Sequence, residues 1–337
     1  MRISITGAGG FIGHWLTRHL KAQGHWVRGV DIKQPEFSAN ECDEFIENDL
    51  RKLGIAWMAV KGVDRVYHLA ADMGGIGWIS THHAEILHNS LQIDLNVLRA
   101  AKEANVPRLL YSSSACVYPE YNQETVDAAP LKESEVYPAL PEAAYGWGKL
   151  TTEKLCEHFS KDYGLTTRIT RFHNVYGPEE TWDGGREKAP AALSRKIAMA
   201  KLAGKHEIEL WGDGLQRRSF VYVDDVCKGL ECLMESDYSG AVNIGNDYTV
   251  SINELAQMLM KIADWPCEIK HVDGSLGVRG RNSDNTMARK VLKGWEPKIS
   301  LEQGLWVTYQ WIEGQVRAQA AKEVETVNVR PTESASA

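Results

Sequence analysis

Three glycines spaced by two residues, Gly7, Gly10 and Gly13, stand between a short apolar run at residues 3–6 and a helix-like stretch at 15–23 that ends before Gly24. A strand that turns through glycines directly into a helix is the entry of a dinucleotide-binding unit. Side chains there would keep the backbone away from a pyrophosphate, and the helix N-terminus offers N–H donors with a partial positive charge. The next strand-like run, 26–30, ends in Asp31, whose carboxylate suits ribose hydroxyls and repels a 2′-phosphate, favouring NAD over NADP. Residues 65–70 and 108–112 read as further strands, with a long helix at 83–105 between them. This alternation predicts an α/β fold built on a doubly wound parallel Rossmann sheet, with ligands gathered at the carboxyl ends of the strands.

The chain has 337 residues, enough for two lobes. We expect a Rossmann half at 1–177, to which a segment near 219–245 returns, a smaller α/β substrate lobe mainly at 178–316, and a disordered polar tail at 317–337. Trp295, Trp306 and Trp311 are expected in the core of the smaller lobe. A net charge of −7 gives no basic field for nucleic acid or an anionic membrane, so a small-molecule partner is expected. No apolar run approaches the roughly 20 residues of a membrane span, and the strand-like run that follows Met1 leaves no room for a signal peptide, so a cytoplasmic location is expected. The six cysteines show no Cys-x-x-Cys spacing, and His82, His83 and His88 lack a carboxylate cage, so neither a disulfide framework nor a metal site is indicated.

Tyr145 and Lys149 lie four apart, on one face of a helix, where the ammonium would favour the phenolate. Such a tyrosine takes a proton from an alcohol while a nicotinamide accepts the hydride, and the ketone formed acidifies the neighbouring C–H bonds. Cys116, in Ser112-Ser113-Ser114-Ala115-Cys116, is a candidate base for those protons; its bland alternative is a small buried hydrophobe. Lys188 would supply the cation that lowers the thiol pKa, although Arg186-Glu187-Lys188 also reads as an ordinary charged surface turn. Residues 207–211 and 218–223 alternate like the strands of a hairpin about Gly212-Asp213-Gly214, with Gln216 and Ser219 at its mouth. Arg281 sits in a glycine-containing loop and suits a pyrophosphate, or equally a solvated pair with Asp284.

The glycine spacing, the serine cluster, Tyr145-x-x-x-Lys149 and Arg171-Phe172-His173-Asn174-Val175-Tyr176-Gly177-Pro178 resemble the extended short-chain dehydrogenase/reductases that act on nucleotide sugars. Asp72-Met73-Gly74-Gly75-Ile76-Gly77, Ser113-Ser114-Ala115-Cys116-Val117-Tyr118-Pro119-Glu120, Gly184-Gly185-Arg186-Glu187-Lys188-Ala189-Pro190-Ala191 and Gly277-Val278-Arg279-Gly280-Arg281-Asn282-Ser283-Asp284-Asn285 resemble, within that family, the branch that inverts GDP-mannose at C3 and C5. The resemblance implies that Tyr145 and Lys149 serve oxidation and re-reduction at C4, with Ser114 holding the C4 oxygen, and that Cys116 and Lys188 form the inverting pair. It implies NAD contacts from Phe11, Ile12, Asp49, Leu50 and Ala70 beside the glycines, Asp31, Tyr145 and Lys149. Sugar contacts would come from Met73, Gly74, Asn174 and Glu187, and nucleotide or pyrophosphate contacts from Lys196, Gln216, Ser219 and Arg281. It further implies GDP-L-galactose as product, with GDP-L-gulose from C5 inversion alone, and a homodimer formed through the helices at 83–105 and 145–163. The alternatives within the family are a nucleotide-sugar 4-epimerase, where threonine usually replaces Cys116, and a 4,6-dehydratase, which carries an Asp-Glu pair there. Outside enzymes, the alternative is an NAD-sensing binding module, which the intact Tyr145 and Lys149 disfavour.

Overall fold

The computed structural model describes residues 1–73, 76–274 and 277–328. Its centre is a seven-stranded, wholly parallel sheet whose order runs Ala241–Ile244, Thr166–Phe172, Arg108–Ser114, Arg65–His68, Arg2–Thr6, Trp26–Asp31, Glu44–Glu47. Helices Phe11–Ala22 and Val223–Glu235 pack together, and Leu53–Val60, His83–Glu103 and Ala143–Tyr163 pack as a second group. Two separate apolar cores result, one including Leu16, Leu20 and Leu230, the other including Val60, Leu98 and Cys156. The doubly wound α/β sheet expected from the sequence is therefore present.

The strand order reverses between Arg2–Thr6 and Arg65–His68, and a crevice opens at such a switch point, outside the carboxyl ends of the strands. Glycine is required on its floor. Gly7 has φ +77°, and a Cβ there would lie 2.8 Å from the Ala70 amide nitrogen. A Cβ on Gly13 would stand 2.1 Å from the Gly7 carbonyl oxygen, so this position sets how closely the helix approaches the strand. Gly13→Ala is expected to cost about 1–3 kcal/mol, the usual range for overpacking, measured by urea unfolding. An unchanged midpoint would mean that the helix backs off freely.

The smaller part carries two minor sheets. Arg217–Tyr222 is flanked by Thr249–Ser251 and Gly280–Arg281 and also pairs with Asn174–Tyr176, while Glu207–Trp211 pairs in parallel with Glu268–Val272. The hairpin expected about Gly212–Gly214 is not formed. The turn exists, but its two strands enter different sheets, because each finds a partner distant in sequence. Helices Ala189–Leu202, Ile252–Ala263 and Leu301–Asn328 pack together around these sheets.

The last of these helices runs through Asn328, so the tail expected to be disordered from 317 is helical to that point; residues 329–337 lie outside the described residues. The expectation for the tryptophans is corrected in part. Trp295 is buried and donates to the Asp225 carbonyl at 2.9 Å, and Trp311 meets Phe37 of the nucleotide half edge-on with ring centroids 5.0 Å apart, but Trp306 is 56% exposed. No described helix is long and apolar enough to cross a membrane.

Candidate active site

A crevice of about 1000 Å³ runs from the glycine turn to Lys188. At the nucleotide end it is lined by Gly7, Gly10, Phe11, Ile12, Gly13, Asp31, Asp49, Leu50 and Ala70. Gly10 caps the helix Phe11–Ala22 without any side chain on its N–H groups, and a Cβ there would meet only the Gly7 carbonyl, at 3.3 Å. That leaves an open approach for an anionic diphosphate. Asp31 holds its carboxylate at the strand end with Gly9 and Ile32 N–H groups donating at 3.0 and 2.6 Å. Asp49 is drawn to the rim instead, where Arg51 engages its carboxylate at 2.6 Å and holds it below the usual carboxylate range. Acidic strand end, bare helix terminus and crevice volume together fit NAD. Among the described residues, no group of three or more His, Cys, Asp or Glu could hold a metal ion.

Tyr145 and Lys149 both line this crevice from the helix Ala143–Tyr163. The Lys149 ammonium donates to the Ser112 carbonyl at 2.7 Å and lies 5.8 Å from the centroid of the Tyr145 ring. The expected lowering of the phenol pKa is not found. Burial pushes the Tyr145 phenol up, the nearby Cys116 adds to this, and a hydrogen bond with Ser114 opposes it. Burial also lowers Lys149, against the pull of Asp94. Sequence reasoning missed Asp94. It is a fully buried carboxylate held by His68 at 2.9 Å, Tyr111 at 3.0 Å and Thr152 at 2.7 Å, a polar knot beneath Lys149.

Cys116 lies in the short 3₁₀ turn Ala115–Val117, whose cap is the Ser114 hydroxyl accepting from the Cys116 N–H at 3.2 Å. The thiol is buried, with charged groups beside it. Arg281 Nη1 lies 3.6 Å from its sulfur, Arg281 Nη2 donates to Glu142 at 2.6 Å, and Arg281 Nε donates to Gln123 at 2.6 Å. Burial and the Glu142 carboxylate raise the thiol pKa; Arg281 and the Ser114 hydroxyl lower it. The cation beside the sulfur is thus Arg281, where Lys188 was expected, and Arg281 is neither solvated nor paired with Asp284. Glu142 and Gln123 had no signal in the sequence beyond proximity to Tyr145 and Cys116.

Lys188 is no surface residue. It caps the helix Ala189–Leu202, reaches the Val175 carbonyl at 3.5 Å, lines the crevice, and is lowered by burial against the pull of Glu180 and Cys116. Glu187 accepts from Arg195 at 2.7 Å through one oxygen, and the other is buried without a partner. Gln216 Oε1 and Ser219 Oγ are likewise buried and unpartnered, as expected of groups that await a ligand. Asn174 donates to the Ser219 carbonyl at 2.9 Å, and Lys196 to the Glu209 carbonyl at 2.8 Å. Met73 lines the crevice and is 40% exposed; Gly74 lies outside the described residues.

Comparison with known proteins gives the family. The chain is 46% identical over 324 residues, 96% of its length and 85% of the relative's, to a GDP-mannose 3,5-epimerase of Arabidopsis thaliana. Among solved structures it is similar to a UDP-glucose 4-epimerase of Thermotoga maritima determined with UDP-glucose, with TM-score 0.84 and 28% identity over 94% of this chain and 100% of that one. It is also similar to a UDP-glucuronic acid 4-epimerase of Bacillus cereus in complex with UDP-glucuronic acid and NAD, with TM-score 0.78 and 26% identity over the same shares. Residues 3–245 match the NAD dependent epimerase/dehydratase family. With the glycine cradle, the acidic strand end and the tyrosine and lysine already in place, the chain belongs to that NAD-dependent family of nucleotide-sugar enzymes.

Proposed function

We propose that the protein epimerises GDP-D-mannose at C3 and C5 to GDP-L-galactose, releasing GDP-L-gulose when only C5 is inverted. The observation that carries this is that Tyr145, Lys149 and an ammonium, Lys188, line one crevice, with the buried thiol of Cys116 near enough to bear on both Tyr145 and Lys188. The 46% identity to GDP-mannose 3,5-epimerase supports the choice of sugar and of carbons over a 4-epimerase, a 4,6-dehydratase or a sensing module.

Bound NAD supplies reversible oxidation at C4. Tyr145 takes the C4 hydroxyl proton and later returns it, with Ser114 holding the oxygen and the Lys149 ammonium nearby, anchored on the Ser112 carbonyl. Cys116 removes the proton beside the carbonyl from one ring face, and Lys188 delivers one to the other. Asn174, Glu187 and Met73 orient the hexose, while Gln216, Ser219, Lys196 and Arg281 address the nucleoside diphosphate. The buried, unpartnered Gln216 and Ser219 oxygens support that last assignment.

A cytoplasmic homodimer completes the reading. Helices His83–Glu103 and Ala143–Tyr163 pack together and expose Leu95 and Trp147, a face that a second copy would cover with the same pair of helices.

Incubation with GDP-mannose in heavy water tests the activity. Deuterium at C3 and C5, read by proton NMR together with GDP-L-galactose, is the expected result. Turnover confined to C4 would mean a 4-epimerase.

A further inference from the structure

An enzyme that oxidises its own substrate and then reduces it again must not let the ketone go. At C4 the hydride moves to nicotinamide and the hydroxyl proton to Tyr145. If the ketone departs at that point, the hydride has no acceptor and the protein is left reduced and idle. The crevice therefore has to stay shut between the two transfers.

The loop that leads into Lys188 is free to open and close. Residues 181–187 lie outside helix and strand, and among the described residues they make no backbone–backbone hydrogen bond, the mark of a segment with low local stability. Gly184 and Gly185 stand at φ +89° and +82°, and a Cβ on either would meet nothing within 4 Å. On its own side the loop hangs from Arg195, which donates to the Trp182 carbonyl at 3.0 Å and to Glu187 at 2.7 Å. Across the crevice, Arg186 lays its guanidinium 3.7 Å over the ring of Trp78, which belongs to the nucleotide half. Both residues line the crevice together with Tyr145 and Lys188.

Trp78 is braced to receive that cation. His82 stacks on the indole with centroids 3.6 Å apart and planes at 16°, and two groups so near one ring take opposite faces. The His82 ring is itself anchored, with Nδ1 2.8 Å from the Thr81 hydroxyl and 3.2 Å from the Trp78 carbonyl. The indole N–H is buried with no acceptor among the described residues, so the ring is held by its faces.

We propose that Arg186 and Trp78 form a latch that closes the loop over the hexose and retains the C4 ketone until it is reduced. A guanidinium on an aromatic face suits this task, because the attraction is strong enough to hold the loop and weak enough to release product. The proposal rests on the transient oxidation at C4 in the reading above.

Two measurements test it. In a Tyr145→Phe background, which binds the sugar without oxidising it, adding Arg186→Met or Trp78→Leu is expected to speed release of labelled GDP-mannose about 2- to 30-fold, the range of a cation–π contact. A chase with unlabelled sugar reads this. Arg186→Lys keeps the cation and is expected to restore part of the retention, which a packing defect would not do. With Tyr145 intact, either variant is expected to accumulate reduced nicotinamide, read as absorbance that rises with turnover, and to release ketone that borodeuteride labels at C4. Trp78→Leu leaves the loop sequence untouched, so it separates the latch from any displacement of Lys188 in Arg186→Met. Wild-type release and no accumulation in both variants would overturn the latch and leave the epimerase reading intact. Absence of deuterium at C3 and C5 with the wild-type protein would overturn that reading, while the chase still decides the latch.

Discussion

Cys116→Ala is expected to lower deuterium incorporation at C3 and C5 by about 10²–10⁴-fold, the range for loss of a general base, while absorbance from reduced nicotinamide still appears on adding GDP-mannose. The two readouts separate because Tyr145 and Lys149 sit on the helix Ala143–Tyr163 and do not depend on the sulfur for their placement. Alanine keeps the 3₁₀ turn, since the Ser114 cap bonds the backbone N–H of residue 116. The neighbouring hydroxyl of Ser114 is far too weak an acid to replace a thiolate. Full epimerisation by the variant would remove sulfur from the chemistry. Loss of both signals would mean that the cysteine holds the sugar without reacting with it.

Arg281→Met is expected to destabilise the protein by about 3–5 kcal/mol, the cost of stranding one member of a buried ion pair. Glu142 would keep its carboxylate in a buried pocket without its ion-pair partner, Arg218 being the cation that remains near it. Adding Glu142→Gln should recover most of that loss, because the pair is then removed as a unit; a double-mutant cycle on urea midpoints measures the coupling. The pH dependence carries a distinguishing sign. In the wild type, Arg281 prevails over burial and depresses the Glu142 pKa below its ordinary 4.5, so the contribution is fully present above that value and is lost as pH falls through the depressed one. In Arg281→Met, burial is opposed only by the Cys116 thiol and Arg218, so the carboxyl pKa is expected to rise, and the variant is expected to weaken as pH rises through the raised value. A wild-type midpoint in Arg281→Met would show that the pair contributes nothing net.

The nucleotide half was legible because its rules are local. Gly7, Gly10 and Gly13 lie within one turn, and Asp31 ends a strand that alternation identifies, so seven residues of spacing already point to a place for a diphosphate. Tyr145 and Lys149 were legible for the same reason. Their titration was not, because a four-residue spacing reports proximity and says nothing of burial, which here outweighs proximity for both groups. Arg281 shows the other kind of failure. Asp284, three residues on, was the obvious local partner, whereas the fold delivers Glu142 and Gln123 from more than a hundred positions away. Glu142 itself was hidden because an acidic residue at a helix start usually serves only the helix dipole. The false hairpin has the same origin: Gly212–Gly214 announced a turn correctly, but pairing with Glu268–Val272 is not a local property.

The helix Leu301–Asn328 sets a schedule for the newborn chain. Trp311 abuts Phe37, and Gln315 forms part of the wall of the crevice that the glycine turn also lines, so segments near the two ends of the polypeptide meet at the same groove. A ribosome that has finished the glycine turn, the helix Ala143–Tyr163 and both Cys116 and Lys188 has still not made this part of the wall. Chains broken off before Leu301 lack that part of the wall.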